Sequence, residues 1–310
     1  MDNRFRPAAA PAFSGFVAAP FTPFTAGGAI DVTAVAPYAQ HLIASGVSAV
    51  FVNGTTGEGY SLSTDERKQM LDAWMPHRSE AFRVIVHVGA ESITDATELA
   101  RHAADSGVDA IGCMSPTFFK PDLDAMTEWC SSIAEAAAEI PFYYYHIPSL
   151  SGSAFRVVDL LERVVHAVPS FRGVKFTHDD LMDLGLSLAV EDGRYDVLFG
   201  RDEMLLSALA LGVTGMVGST YNYAMPIYRR LRDAWEAGDR DRAADAQRTA
   251  ARRFRIPSTH GGSLVSGKAM MAGVGLHLWA CRVENRTLGR EEARIALAAA
   301  RELGAFEGER

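Results

Sequence analysis

Ser45-Gly46-Val47-Ser48-Ala49-Val50 recurs as Ser106-Gly107-Val108-Asp109-Ala110-Ile111, and Leu211-Gly212-Val213-Thr214-Gly215-Met216 echoes both. Each copy reads as the seam of one unit: a helix ends on a C′ glycine, which reaches the left-handed region at little cost, and a buried strand follows at once. Working outward, strand-like runs fall at 16–23, 47–53, 83–88, 108–114, 141–147, 172–177, 195–200 and 213–219. Helical patterns fill the gaps at 32–44, 94–105, 123–139, 155–166, 179–190, 203–211 and 224–237, with one more opened by Ser63-Thr64-Asp65-Glu66, which has the form of a capping box. Strands alternating with helices predict a parallel sheet with crossover helices. Repetition of one αβ unit favours an α/β fold of the closed (β/α)8 TIM-barrel kind over an open doubly wound sheet. No G-x-G-x-x-G follows the first strand, so a dinucleotide fold has no support.

The expected organisation is a loose N-terminal arm at 1–14, a barrel at 15–238 and a C-terminal helical subdomain at 239–310 packed on it. The subdomain reads as helices at 240–254, 263–275 and 291–303, with Pro257 and Gly261-Gly262 separating the first two. A formal net charge of −8 argues against a nucleic-acid or anionic-membrane surface. The arginine groups at 229–232 and 248–255 read as solvated helix faces. Cys113, Cys130 and Cys281 are too widely spaced for a disulfide framework or a zinc site. No apolar run is long enough to span a membrane, and the start of the chain lacks an apolar leader, so a cytoplasmic protein is expected.

The chemistry centres on Phe171-Arg-Gly-Val-Lys-Phe-Thr-His-Asp-Asp180. Lys175 stands inside an apolar strand, where desolvation disfavours the ammonium and lowers its pKa. A neutral amine is what attack on a ketone requires. The ordinary alternative is an edge-strand lysine with its head in water. The chain has only three other lysines, Lys68, Lys120 and Lys268, and these lie in polar or loop-like stretches.

In such barrels functional groups stand at the C-terminal ends of strands. Those positions hold Gly54-Thr55-Thr56-Gly57, whose N–H groups and hydroxyls suit an anion, though a tight Gly-rich turn would look the same. They also hold Tyr145, then Lys175 and Thr177, then Gly200, Asp202 and Glu203, then Gly218, Ser219 and Thr220. Asp202 and Glu203 open a helix, so capping is their plain reading, and hydrogen bonding to a polyol is the other. No neighbouring carboxylate or histidine completes a metal set around them.

Three motifs in order, Gly54-Thr-Thr-Gly-Glu58, Tyr145-x-Ile147-Pro148-x-Leu150-Ser151-Gly152 and Gly173-Val-Lys175, resemble the N-acetylneuraminate lyase and dihydrodipicolinate synthase superfamily of class I aldolases. Tyr143–Gly152, Leu198–Glu203 and Val217–Tyr223 are similar to its sialic acid branch. The resemblance runs from about residue 14 to near the C-terminus. It implies that Lys175 forms a Schiff base with the C2 ketone of a 2-keto acid and that Tyr145 transfers the proton at the C4 hydroxyl. It further implies that Thr55 and Thr56 hold the carboxylate, and that Thr177, Gly200, Asp202, Glu203 and Ser219 line the sugar side. Such a lyase splits N-acetylneuraminate into pyruvate and N-acetylmannosamine without cofactor or metal, the protonated imine acting as electron sink. Its partner is a small-molecule 2-keto sugar acid, and its expected assembly is a homotetramer, with Phe118, Phe119 and Tyr223 as exposed aromatic candidates. Another aldolase or dehydratase of a 2-keto-3-deoxy sugar acid is the alternative.

Two departures matter. Many relatives carry a tyrosine in the loop after strand 4 that reaches a neighbouring subunit, where this chain has Pro116-Thr-Phe-Phe119. Synthase members carry an arginine for a second carboxylate where this chain has Leu150, which points to a neutral polyol.

Overall fold

In the computed structural model, residues 13–259, 262–278, 281–285 and 287–306 are described, 253–259 by backbone alone. The barrel strands are β1 (Gly15–Ala18), β2 (Ala49–Val52), β3 (Arg83–His87), β4 (Ala110–Met114), β5 (Phe142–His146), β6 (Phe171–Phe176), β7 (Asp196–Phe199) and β8 (Gly215–Gly218). They close in sequence order, with β1 parallel to both β2 and β8. Helices α1 (Val35–Ala44), α2 (Thr64–Trp74), α3 (Ile93–Ser106), α4 (Leu123–Glu135), α5 (Pro148–Ser151), α6 (Val157–Ala167), α7 (Leu181–Ala189), α8 (Leu205–Ala210) and α9 (Met225–Glu236) are interleaved. The expected (β/α)8 barrel is the observed one.

The local signals act as their chemistry dictates. Ser63 and Glu66 form a reciprocal capping box at the start of α2. Gly107 ends α3 at φ 71°, where a Cβ would be strained, and its N–H bonds back to Ala103 and Ala104. Strand side chains alternate between an outer core under the helices and a narrower inner core of Phe13, Val17, Phe51, Ile85, Tyr143, Tyr145 and Leu198. The expected loose arm falls mostly on residues 1–12, outside the described residues; Phe13 is buried, its ring 5.7 Å from Tyr143 in an edge contact.

Past the barrel come α10 (Arg240–Thr259), α11 (Gly262–Met270) and α12 (Arg290–Glu302). Two expected boundaries move. The helix expected over 240–254 continues through Pro257 to Thr259, with the Pro257 nitrogen unable to donate its backbone hydrogen bond. The helix expected over 263–275 is α-helical to Met270 and then tightens into a 3₁₀ turn that ends on Gly275 at φ 82°. No helix among the described residues is long and apolar enough to cross a membrane.

Candidate active site

Lys175 reaches the barrel interior through a local irregularity. The β5–β6 pairing runs Phe142↔Phe171 and then Tyr143↔Gly173, so Arg172 is an extra, unpaired residue. This bulge turns Phe171 to the outer core and sets Gly173 and Lys175 inward. Gly173 has no room for a side chain, since a Cβ there would sit 2.1 Å from the Asp196 carbonyl oxygen. Lys175 is buried, with Nζ 4.0 Å from the Phe51 ring centre and 3.9 Å from that of Tyr145. Burial pulls its pKa down to about 7, and the Asp202 carboxylate works against that shift. The alternative of a water-facing edge lysine is excluded.

Phe51 carries no chemical signal in the sequence, where it is one residue of an apolar run. Its ring is seated by two glycines: a Cβ on Gly54 would approach it to 2.9 Å and one on Gly112 to 3.0 Å. The aromatic walls favour the ammonium through their π faces yet supply no hydrogen-bond acceptor, so desolvation still dominates.

Tyr145 lies beside Lys175 in register on the neighbouring strand. Its hydroxyl is 3.3 Å from Thr55 Oγ1, which places the Gly54–Gly57 loop over the lysine. Burial pushes the phenol up to about 12, opposed by the Thr55 and Thr177 hydroxyls. The Thr177 hydroxyl itself is buried and lacks a hydrogen bond of good geometry. Behind the phenol stands His87, 5.8 Å away edge-on, which sequence reasoning missed. Burial first, and then the charges of Arg67 and Lys175, hold its pKa well below the usual histidine value. Arg67 in turn donates to the carbonyl oxygens of His87 (2.6 Å) and Gly89 (2.9 Å), anchoring the end of β3. His146 points outward against Phe155, Phe176 and His178, and burial pulls its pKa down to about 3, so it is no proton carrier for this mouth.

Asp202 does not cap the turn it opens. Its Oδ2 accepts from the Thr220 N–H (3.1 Å) and hydroxyl (2.5 Å), across the end of β8. Oδ1 is buried without a hydrogen bond of good geometry, and burial raises the carboxyl pKa against the pull of the Thr220 donors and the nearby Tyr221 hydroxyl. Glu203 is half-buried and paired with Arg201 at 3.0 Å. Gly200 and Ser219 lie half-buried at the same rim, and a Cβ on Gly200 would stand 2.0 Å from Thr177 Oγ1. Thr56 is half-buried beside the exposed Thr55. A Cβ on Gly218 would lie 1.9 Å from Asp202 Oδ1. Gly218→Ala is therefore expected to push Asp202 aside and to cost about 1–3 kcal/mol of stability, read from urea unfolding. An unchanged midpoint would mean that the Asp202 side chain is not fixed.

Two expectations, for Tyr223 and Lys268, are revised, while Phe118 and Phe119 are exposed as expected. Tyr223 is buried in the outer core, where a Cβ on Gly267 of α11 would lie 3.5 Å from its ring, and offers no exposed surface. Phe118 and Phe119 are each 79% exposed, their rings 4.9 Å apart. Lys268, read as a lysine in polar surroundings, is buried against Glu58. Its partner lies 210 positions away in sequence, out of reach of any local pattern. Among the described residues no cluster of three or more His, Cys, Asp or Glu side chains is placed to hold a metal ion.

This arrangement can be set against known proteins. The chain is 45% identical to the N-acetylneuraminate lyase of Danio rerio over 238 residues, 76% of this chain and 78% of that protein. It is 43% identical to the Homo sapiens N-acetylneuraminate lyase over 231 residues, 73% and 72% of the two chains. The solved structure of Proteus mirabilis N-acetylneuraminate lyase superposes with a TM-score of 0.92 at 37% identity, covering 94% of this chain and 99% of that one. The sequence profile of the dihydrodipicolinate synthetase family matches residues 12–292, a span holding the whole barrel and every residue of the mouth. The chain belongs to the dihydrodipicolinate synthetase family.

Proposed function

We propose that this protein is a class I aldolase that cleaves N-acetylneuraminate reversibly to pyruvate and N-acetyl-D-mannosamine, with Lys175 and Tyr145 as its catalytic residues. The observation that carries the reading is a buried amine with a pKa near 7 beside a phenol that touches the Thr55 hydroxyl. The neutral amine adds to the C2 ketone and water leaves, giving a protonated imine. As the C4 hydroxyl gives up its proton, the C3–C4 bond breaks. Its electron pair moves into the imine to form an enamine, and the sugar leaves as an aldehyde. Protonation of C3 and hydrolysis release pyruvate and return the lysine. Thr55 and Thr56 would bind the carboxylate, and Thr177, Gly200, Asp202, Glu203 and Ser219 the hydroxyls. Oδ1 of Asp202 suits a hydroxyl donor, because a buried acceptor without a well-formed hydrogen bond gains most from one. Leu150, half exposed on α5, supplies no charge for a second carboxylate.

The deciding assay is pyruvate release from N-acetylneuraminate beside a 2-keto-3-deoxygluconate control. Release from the nine-carbon acid supports the reading; release from the shorter acid alone keeps the mechanism and changes the substrate.

A pH dependence follows from the lysine. Below its pKa the amine is protonated and cannot attack, so adduct formation with pyruvate, trapped with cyanoborohydride, should fall about tenfold per pH unit below 7 and level off above it. A midpoint near the ordinary lysine value of 10.5 would rule out a desolvated nucleophile. The reading extends to a homotetramer, with the exposed Phe118–Phe119 pair as a contact between chains. A scattering mass near the 33.5 kDa of one chain would remove that assembly.

A further inference from the structure

The loop that carries Thr55 and Thr56 is wound more tightly than an ordinary turn. Two residues with side chains, Asn53 at φ 59° and Glu58 at φ 55°, are left-handed within six positions. For glutamate that conformation is unfavourable, and it persists only where the surroundings enforce it. Gly59 packs so closely that a Cβ would lie 1.9 Å from the Asn53 carbonyl oxygen. Short backbone bonds, Glu58 N–H to Thr55 O at 3.0 Å and Gly59 N–H to Gly54 O at 3.1 Å, close the loop on itself.

What enforces the turn comes from the other end of the chain. Glu58 Oε1 accepts from Lys268 Nζ at 2.8 Å, and Oε2 accepts from the Arg282 backbone N–H at 2.8 Å and from Asn285 Nδ2 at 3.0 Å. The two side chains are sealed, with 1% of Lys268 and none of Glu58 exposed. Lys268 Nζ lies 4.1 Å over the Phe24 ring, and the Arg282 guanidinium crosses the same ring at 4.6 Å. Arg282 continues the knot to Glu66 on α2 and to the Gly28 carbonyl oxygen, 2.9 Å away. Thus the one strained glutamate of the anion loop is held by donors from α11 and the segment after it. A buried pair of this kind adds little net stability over an apolar pair of the same volume, yet fixes its partners in place.

We propose that Lys268 is a positioning residue of the site: by holding Glu58 it sets the turn that presents Thr55 and Thr56 beside Tyr145, and so sets the affinity for the carboxylate of the 2-oxo acid. This rests on the lyase reading above. The C-terminal helices then shape the binding site through the hold of Lys268 on Glu58.

The test uses the full chain and the trapped pyruvate adduct on Lys175, measured by intact mass against pyruvate concentration. Lys268→Met alone strands a buried carboxylate and risks misfolding. The double variant Glu58→Gln with Lys268→Met removes both charges at nearly constant volume and serves as the folded control. Both are expected to need at least about tenfold more pyruvate for half-saturation, while the adduct at saturation reaches the wild-type yield. Wild-type half-saturation in the double variant would overturn the proposal. A loss of saturating yield with unchanged half-saturation would overturn it too, since that marks a general loosening of the barrel. If the wild-type protein forms no adduct, the lyase reading itself falls and takes this inference with it. A wild-type adduct with unaltered variants removes the positioning role alone.

Discussion

Lys175→Ala should lose pyruvate release by at least about four orders of magnitude while retaining the fold. No other lysine is placed to replace it: Lys268 is spent on Glu58, Lys68 pairs with Glu98 on the outer helices, and Lys120 donates to the Ser151 carbonyl oxygen. Wild-type turnover in that variant would end the imine mechanism. The same position predicts an opposite effect on stability, better read with Lys175→Met, which leaves less of a cavity. The folded pKa of about 7 lies below the ordinary 10.5, so between those values the unfolded chain binds more protons than the folded one. Wild-type stability therefore rises with pH across that window, and at pH 7 and below the full penalty of burying the ammonium applies. Lys175→Met should melt higher than wild type at pH 7, by a shift on the order of 2–5 °C, with the gain shrinking towards pH 10. A gain that does not change with pH would mean the lysine is charged and comfortable, and not poised for attack.

How much of this was legible depends on the range of the interaction. The seams at Gly46, Gly107 and Gly212 are local, because a left-handed C-cap followed by a buried strand needs only neighbours in sequence, and all three glycines have positive φ. Lys175 was legible as an anomaly in an apolar run. Its inward direction was not, because simple alternation would put Phe171 on the same face, and the bulge at Arg172 sends Phe171 to the other core. Asp202 looked like a cap because acidic residues at the start of a turn usually are, whereas its partner Thr220 comes from the next strand end, 18 residues on. Phe51 was invisible, since nothing local separates an aromatic that lines a site from one that fills a core. Glu58 and Lys268 were each visible alone and meaningless apart. The chain writes its helices and strands in short-range chemistry, and assembles its mouth from pairings that only barrel closure creates.

Tyr145→Phe is the sharper test of mechanism because it removes one atom. The ring keeps its place over the Lys175 amine and its edge contacts with Phe51 at 5.6 Å and His87 at 5.8 Å, so the pocket keeps its shape. The hydroxyl's interactions with Thr55 and Thr177 are lost, a change worth about 0.5–1.5 kcal/mol in stability. Pyruvate should still form its adduct with nearly wild-type half-saturation, since imine formation with a ligand that lacks a C4 hydroxyl does not call on the phenol. Cleavage of N-acetylneuraminate should fall by about 10²–10⁴-fold, the usual worth of a positioned proton-transfer group. Condensation of pyruvate with N-acetylmannosamine should fall by the same factor, because a catalyst cannot alter the equilibrium between them. The raised pKa sharpens this further. A phenol at about 12 is protonated at neutral pH and gives that proton up reluctantly, so it accepts the C4 proton only as its own passes to Thr55 Oγ1, which relays it by passing its own to the carboxylate of the bound 2-oxo acid. Thr55→Val should then slow cleavage more than it weakens pyruvate binding. Undiminished cleavage in Tyr145→Phe would move the proton to the bound carboxylate, leaving the phenol as packing for the lysine.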